Sequence, residues 1–186
     1  MQKSELMECL ECNPVIAAVG EDKWAEALQS PAQVLFYLYA NLLSAEEMIR
    51  KAHNTGRYVL VHIDLAEGIG RDRTGLQYLS KIGADGIIST RAQMIQLAKE
   101  QGLLTVQRFF LLDSKGLESI EDMLRHTRPD FMELMPGVIG KSIRRFSTSG
   151  TPVIAGGLIE TKQELTDALS SGATAVSTGR KELWYL

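Results

Sequence analysis

The chain has 186 residues, of which 45% are hydrophobic and 23% charged, as is typical of a globular protein with a buried core. We expect one domain over residues 1–186. The 20 basic and 23 acidic side chains give a formal net charge of −3. This balance excludes bulk electrostatic attraction to nucleic acid or to an anionic membrane, so any RNA contact would need a local basic patch.

The N-terminal residues carry little functional signal. Residues 1–5 lead into no long apolar run, so we expect neither a signal peptide nor a membrane span. Cys9 and Cys12 are spaced C-x-x-C, but they precede the first predicted strand, and no second pair completes a zinc site. We therefore expect a cytoplasmic protein that uses no metal at these cysteines and no redox chemistry.

Short β-rich segments alternate with helical ones along the chain. The eight predicted strands span residues 14–19, 33–38, 58–64, 85–89, 103–108, 130–134, 152–156 and 173–178. Amphipathic stretches predict helices between most of them, for example over residues 44–53, 91–101, 116–126 and 162–171. Strict alternation predicts an α/β protein with a parallel sheet, and eight units favour a closed barrel. Because the chain is short for that fold, we predict a compact, partly degenerate TIM (β/α)8 barrel.

The third predicted strand carries two polar side chains near its carboxyl end, where barrels of this type bind ligands. Side chains alternate along a strand, so Leu60, His62 and Asp64 should share the inward face. An unpaired buried polar group is costly, which favours a ligand-facing role for His62 and Asp64. The alternative is that His62 is a hydrogen-bonded core residue and that Asp64 caps the next element.

Two further strands end near polar groups. Arg108, at the end of the fifth predicted strand, could pair with an inward carboxylate or with a ligand anion. Glu133, in the sixth, shares a face with Phe131, and the direction of that face is left open. Either residue could be structural only.

The last two predicted strands end in small residues, namely Gly156-Gly157 and Ser177-Thr178-Gly179. Small residues let backbone N–H groups approach an anion closely, and the loops after the last two strands of such a barrel commonly bind phosphate. We expect these residues to form an anion site, with N–H donors near Gly157 and Gly179 and hydroxyl donors from Ser177 and Thr178. The alternative for the glycine pair is a simple tight turn.

Catalytic apparatus is sparse. No lysine falls within the eight predicted strands, as a Schiff-base aldolase would require, and no nucleophile motif is present. His62, Asp64 and Glu133 would suffice for acid–base chemistry or for one Mg²⁺, but they are not diagnostic. We assign no catalytic residue and no metal site.

Two basic groups are candidate RNA contacts. Lys141, Arg144 and Arg145 should share one face of a helix, and Arg71 and Arg73 follow the third predicted strand. A solvated charged surface is the alternative for both groups. The chain has no RRM or KH signature and few aromatic residues for stacking.

The chain resembles the glycerol uptake operon antiterminator regulatory proteins of bacteria over nearly its whole length. The matching segments run in order and are VHIDL (61–65), GIIST (86–90), QRFFLLDS (107–114), ELMPGV (133–138), IAGGLI (154–159) and the ending 177–184. The resemblance implies a degenerate TIM-like barrel that binds glycerol 3-phosphate as an effector, with no cofactor. It also implies that the liganded protein binds and stabilises the leader mRNA of glycerol-utilisation genes, so that transcription passes a terminator.

By this resemblance, the Gly156-Gly157 turn and the turn at residues 177–179 hold the phosphate, while His62, Asp64 and Glu133 face the glycerol hydroxyls. Family members often carry a basic residue just after the first strand, whereas residues 17–21 here contain no cation. We expect Arg180, which stands where the family often has another residue, to supply compensating charge. No membrane partner is implied, and homo-oligomer formation is left open.

An enzyme of the same fold is the alternative function. A prenyltransferase or an isomerase acting on a glycerol or sugar phosphate would have the same barrel and the same phosphate end, because fold does not fix function. The sparse catalytic apparatus favours the regulator.

Overall fold

A computed structural model describes residues 2–185, apart from the side chain of Ser114. Eight strands form one closed parallel barrel in which each strand pairs with the next and β8 pairs with β1. They are β1 (Val15–Val19), β2 (Val34–Tyr37), β3 (Tyr58–His62), β4 (Gly86–Ser89), β5 (Leu104–Phe110), β6 (Phe131–Met135), β7 (Val153–Gly156) and β8 (Ala175–Thr178). The predicted TIM barrel is confirmed.

The helices explain how a short chain completes this fold. They are α1 (Lys3–Cys12), α2 (Trp24–Gln29), α3 (Ala45–His53), α4 (Arg73–Lys81), α5 (Ala92–Glu100), α6 (Ser114–Thr127), α7 (Gly140–Ser147) and α8 (Lys162–Ser170). Short 3₁₀ helices span Glu21–Lys23, Ile63–Leu65 and Lys181–Tyr185. Helices α2–α8 connect successive strands, and within the described residues only the 3₁₀ helix Lys181–Tyr185 follows β8. The predicted shortening therefore falls mainly on the last unit and on α2.

Alternate strand side chains divide the core into two clusters. Outward-facing residues such as Val59 and Val61 pack with the helices. Inward-facing residues such as Leu60 pack in the barrel lumen, with Ile16, Val34, Phe36, Ile88, Leu104, Val106, Phe131, Ile154 and Ala175. The predicted faces of the third strand are confirmed as far as His62, where β3 ends. Asp64 lies beyond it in a 3₁₀ helix, so its predicted place on the strand is wrong.

Helix α1 closes the amino end of the barrel and is absent from the predicted elements. Its Leu6 and Leu10 lie one turn apart on one helix face, are 1% exposed, and belong to the lumen cluster. Burying each leucine contributes roughly 1.5–3 kcal/mol. None of the helices within residues 2–185 is long and apolar enough to cross a membrane.

Candidate ligand-binding site

A cavity of about 400 Å³ opens at the carboxyl ends of the strands, a size typical of small-molecule sites. Its lining includes seven residues singled out from the sequence: Arg108, Glu133, Gly157, Ser177, Thr178, Gly179 and Arg180. It also includes Ala18, Lys23, Leu38, Met135, Leu158, Ile159 and Glu160. Three other predicted ligand-binding residues, His62, Asp64 and Gly156, do not line it. The barrel therefore gathers most, but not all, of the predicted site.

A buried ion pair forms the floor of the cavity. Arg108 and Glu133 are register partners on β5 and β6 and point inward, like Phe131 two residues earlier. Nε of Arg108 donates to Oε2 of Glu133 at 2.5 Å, and the Ser177 hydroxyl donates to Oε1 at 2.5 Å. The Arg108 and Glu133 side chains are only 9% and 1% exposed. Because both carboxylate oxygens are satisfied, removing one partner should cost roughly 3–5 kcal/mol.

Gly156 lies beneath the cavity and, because it has no side chain, leaves room for this ion pair. A β-carbon at residue 156 would collide with Oε1 of Glu133 and would lie 2.6 Å from the Ser177 hydroxyl oxygen. The absence of a side chain thus leaves room for the Glu133 carboxylate. Gly156 therefore lies beneath the cavity, whereas the next glycine, Gly157, lines it; a phosphate contact at either glycine stays a prediction.

The loop after β7 presents backbone donors to the cavity. Gly157 (φ 72°) and Leu158 (φ 58°) both take the left-handed conformation. For a leucine, that conformation costs roughly 1–2 kcal/mol. Within residues 2–185, no hydrogen bond uses the N–H group of Gly157, of Leu158 or of Gly179 in the facing loop. Unpaired donors in a strained turn are typical of an anion site.

The hydroxyls predicted to contact phosphate already have protein partners. Ser177 donates to Glu133, and Thr178 Oγ1 donates to the Ile159 carbonyl at 3.0 Å while accepting from the Arg180 N–H at 3.1 Å. Thr178 thereby ties the loop after β8 to the loop after β7. A phosphate contact from either hydroxyl would require one of these bonds to be exchanged. The backbone N–H groups are the donors that remain.

Lys23 places a cation near the end of the first strand, although residues 17–21 contain none. It lies in the 3₁₀ helix Glu21–Lys23, lines the cavity, and places Nζ 3.4 Å from the Gly179 carbonyl oxygen. No ion pair within the described residues involves Lys23, whereas Arg108 pairs with Glu133 and Arg180 pairs with Glu160 at 2.5 Å. The cavity lining therefore carries one positive charge, that of Lys23, without an acidic partner among the described residues.

Arg180, expected to compensate for the missing cation, lies at the rim of this cavity. Its guanidinium is held by Glu160, which raises the pKa of Arg180, and both side chains are more than half exposed. The loops after β7 and β8 are thus bridged at the surface by charge as well as by Thr178.

His62 is a buried neutral imidazole in the lumen. It is 3% exposed, and its Nδ1 has no hydrogen-bond partner within the described residues. Burial, reinforced by the nearby positive charge of Arg108, lowers the pKa of His62 to about 4. The ring is therefore neutral near pH 7, and its free nitrogen is available for a polar contact.

Asp64 fastens the loop after β4. Its carboxylate accepts from the Ser89 hydroxyl at 2.8 Å and from the N–H and hydroxyl of Thr90 at 2.7 and 2.9 Å. Burial alone would raise the pKa of Asp64, but these hydrogen bonds outweigh it and lower the pKa. Arg91 lies 3.9 Å away. This arrangement favours the capping alternative for Asp64 over direct ligand contact.

The basic group on α7 does not form one continuous patch. Arg144 donates to the Ser171 hydroxyl at 3.0 Å on the α8 side, whereas Arg145 pairs with Glu121 of α6 at 2.7 Å. Lys141 is exposed. The two arginines thus bridge neighbouring helices, in keeping with the structural alternative. Of the other predicted pair, Arg73 pairs with Glu100 at 2.6 Å.

Exposed apolar side chains concentrate at the carboxyl-terminal end of the barrel, the end at which the cavity opens. Of ten large exposed hydrophobic residues in the described chain, eight lie at the carboxyl ends of the strands or in the loops that follow them. We call these eight the apolar rim: Tyr39, Leu42, Leu43, Leu65, Phe110, Leu112, Val138 and Leu158. Scattered exposed apolar residues are ordinary, but a cluster on one face marks an interaction surface.

Catalytic groups remain sparse in the structure. No lysine lies in any of the eight strands, and within residues 2–185 no group of three or more His, Cys, Asp or Glu side chains is arranged to hold a metal ion. Cys9 and Cys12 are both free thiols within α1.

Comparison with known proteins identifies one matching family and a curated relative along almost the whole chain. Residues 15–184 match the family described as "Glycerol-3-phosphate responsive antiterminator". The uncharacterized protein YgcP of Escherichia coli strain K12 is 33% identical over 184 residues, which cover 97% of this chain and 96% of that protein.

Two solved structures resemble this chain along most of its length. A glycerol uptake operon antiterminator regulatory protein from Listeria monocytogenes shares 34% identity and a TM-score of 0.86, over 92% of this chain and 95% of that one. A glycerol uptake operon antiterminator-related protein from Thermotoga maritima shares 32% identity and a TM-score of 0.83, over 91% and 96%. Other barrels, such as the aldolase QR15 at 10% identity and a TM-score of 0.72, share the fold alone.

Proposed function

Because the chain belongs to the glycerol-3-phosphate responsive antiterminator family, we propose that it binds glycerol 3-phosphate in the cavity at the carboxyl ends of the strands. We further propose that the liganded protein binds the leader RNA of glycerol-utilisation genes and so controls their transcription. One observation carries the ligand assignment. The uncompensated ammonium of Lys23 lies in the same cavity as the unpaired N–H groups of Gly157, Leu158 and Gly179.

The phosphate lies between Lys23 and the backbone donors of the two loops. Backbone N–H groups and an ammonium are complementary to a dianion, and charge-assisted hydrogen bonds are stronger than neutral ones. Arg180 can exchange its partner Glu160 for the phosphate at the rim. This placement uses the predicted phosphate loops, with their N–H groups as donors and with Gly156 in a supporting position.

The glycerol hydroxyls face the floor of the cavity. Nε is the nitrogen of Arg108 that donates to a described residue, which leaves its other N–H groups for a ligand. Glu133 lines the cavity and can accept from a hydroxyl through its remaining lone pairs. For His62 and Asp64, a ligand contact remains a prediction; the hydrogen bonds of Asp64 favour a role in holding the loop after β4.

A regulator is better supported than an enzyme of the same fold. An acid–base catalyst needs a pKa close to the operating pH and a proton that can move freely. The imidazole of His62 has a pKa of about 4, and the Glu133 carboxylate is held by Arg108 and Ser177. The ligand therefore acts as an effector, with no cofactor required.

The test is reciprocal coupling between ligand and RNA. A fluorescently labelled transcript of the organism's own glycerol-operon leader is titrated with protein, with and without saturating glycerol 3-phosphate. The proposal expects the ligand to tighten RNA binding and RNA to tighten ligand binding by the same factor. Equal RNA affinities with and without ligand would contradict the regulatory part, since a ligand shifts an equilibrium only through differential affinity.

A further inference from the structure

A second cleft lies on the same end of the barrel as the ligand cavity. It has a volume of about 550 Å³ and is lined by Arg71, Arg91 and the loop after β3. Both arginines are exposed. No ion pair within the described residues involves Arg71, and the acidic partner of Arg91 is Asp64 at the long distance of 3.9 Å. Two guanidinium groups are thus available for phosphates, which they bind in bidentate fashion.

An exposed aromatic ring, that of Phe110, lies at the same end of the barrel as these arginines. Leu104, Val106 and Arg108 point inward from β5, and the same alternation places Phe110 above Arg108, at the mouth of the barrel. Phe110 is 56% exposed. Bases of single-stranded RNA stack on such rings, and each stacking contact is worth roughly 1–3 kcal/mol.

We infer, on the basis of the proposed function, that the leader RNA binds across this carboxyl-end face, with backbone phosphates on Arg71 and Arg91 and an unpaired base on Phe110. The apolar rim then contacts bases and ribose around the mouth of the cavity. The positive charge of this face favours RNA over a purely apolar partner. Its guanidinium groups, Arg71 and Arg91, have weak acidic partners or none within the described residues, and they adjoin apolar surface.

This position explains how ligand and RNA can be coupled. Arg108 lines the ligand cavity and lies near His62, whose pKa it lowers. The negative charge of Asp64 acts on the same pKa in the opposite direction, and Asp64 lies 3.9 Å from Arg91. Electrostatic interactions therefore connect Arg108 of the ligand cavity with the region of Asp64 and Arg91, where we place the RNA. An RNA that crosses the mouth also slows the release of the ligand beneath it.

The other basic surfaces fit RNA less well. The arginines of α7 are engaged with neighbouring helices. A cleft of about 620 Å³ at the amino end is lined by four basic residues, Lys3, Arg125, Arg128 and Arg145. Arg125 and Arg145 pair with Asp122 and Glu121, and the cleft lies beside the carboxyl ends of α6 and α7. Helix dipoles are negative there and repel phosphates. That cleft is also at the opposite end of the barrel from the ligand cavity.

The test compares two pairs of charge reversals in the full chain. One protein carries Arg71→Glu and Arg91→Glu, and the matched control carries Arg125→Glu and Arg128→Glu at the amino end. Arg71→Gln with Arg91→Gln provides a milder version of the first pair. Thermal melting shows that each variant is folded, and binding of the labelled leader transcript is measured with glycerol 3-phosphate at several salt concentrations.

We expect the Arg71 and Arg91 variants to bind RNA at least tenfold more weakly than wild type. The slope of log affinity against log salt should become shallower by about 1.4, the value for two single-strand phosphate contacts. The control should match wild type. Phe110→Ala should weaken binding severalfold without changing that slope.

Three results would overturn the inference. If wild type binds the transcript and the Arg71 and Arg91 variants bind it equally well, the surface is wrong while the proposed function stands. If Phe110→Ser and Leu112→Ser convert a dimer to a monomer in sedimentation while RNA affinity is kept, a second copy of the chain covers the apolar rim. If wild type shows ligand binding but no RNA binding, this inference fails together with the RNA part of the proposed function.

Discussion

Gly156 and Glu133 lie on adjacent strands and share one small volume of the barrel lumen, because a β-carbon at residue 156 would collide with the Glu133 carboxylate. Residue 156 does not need glycine for its backbone conformation, because its φ lies outside the left-handed range. The empty side-chain position is what permits the buried Arg108–Glu133 pair to form beneath the ligand cavity.

The change Gly156→Ala should disrupt this floor. The added methyl group must displace Glu133 or Ser177, and overpacking of this kind typically costs about 1–3 kcal/mol. The free energy of unfolding, measured by urea denaturation, should fall by that amount, and ligand affinity should fall with it. Gly116→Ala is the control, because its β-carbon would meet neighbours only at 3.7 Å and alanine favours helix. Equal stability of the two variants would show that the lumen is not tightly filled.

The change Lys23→Ala should weaken binding of glycerol 3-phosphate by about tenfold or more, the loss expected for one charge-assisted hydrogen bond. Isothermal titration calorimetry measures the affinity directly. Lys181→Ala is a matched control, since Lys181 belongs to the neighbouring loop but pairs with Glu26 at 3.0 Å and does not line the cavity. A Lys23 variant with wild-type affinity would remove the main electrostatic argument for this site.

Arg180 and Glu160 should have opposite effects on the ligand. Arg180→Ala should weaken phosphate-ligand binding at least severalfold, because a cation is lost at the rim. Glu160→Gln should tighten it, since it frees the Arg180 guanidinium and removes a negative charge from the cavity lining. The same calorimetric titration distinguishes these outcomes. Unchanged affinity in Arg180→Ala would show that this arginine only bridges two loops.

His62 should make the protein less stable in mild acid. Its pKa is about 4 in the folded protein, against about 6.5 when unfolded, so the unfolded chain binds more protons between these values. This contribution is complete above pH 6.5 and is lost as the pH falls towards 4, for a total of about 3 kcal/mol. The free energy of unfolding of His62→Gln should therefore depend less on pH over this window. Parallel curves for the two proteins would contradict a buried neutral imidazole.

The barrel could be predicted because its signals are local. Each strand is a short apolar run, and glycines such as Gly102 and Gly172 end helices just before the next strand. Helix α1 gives a weaker signal, because Leu6 and Leu10 stand among charged residues and only their contact with the lumen shows that they are buried. Propensity alone does not reveal a helix whose stability comes from closing a barrel.

The site was harder to predict because barrel closure joins distant parts of the chain. Lys23 and Gly179 meet because β1 pairs with β8, a contact that no sequence window spans. The sequence signal for Lys23 is a cation anywhere in the loop between β1 and α2, not only directly after the strand. Likewise, the glycine pair suggests an anion site, but the sequence does not show that Gly156 packs against Glu133. Only the structure distinguishes this packing position from the position of Gly157 in the cavity lining.

The most direct test of the ligand assignment is a thermal-shift titration with glycerol 3-phosphate, with glycerol and inorganic phosphate as controls. A ligand at about 100 times its Kd adds roughly 2.7 kcal/mol of stability, which should raise the melting temperature by about 5–10 °C for a chain of this size. We predict this shift with glycerol 3-phosphate, a much smaller one with inorganic phosphate and none with glycerol. Absence of a shift with glycerol 3-phosphate would contradict the assignment.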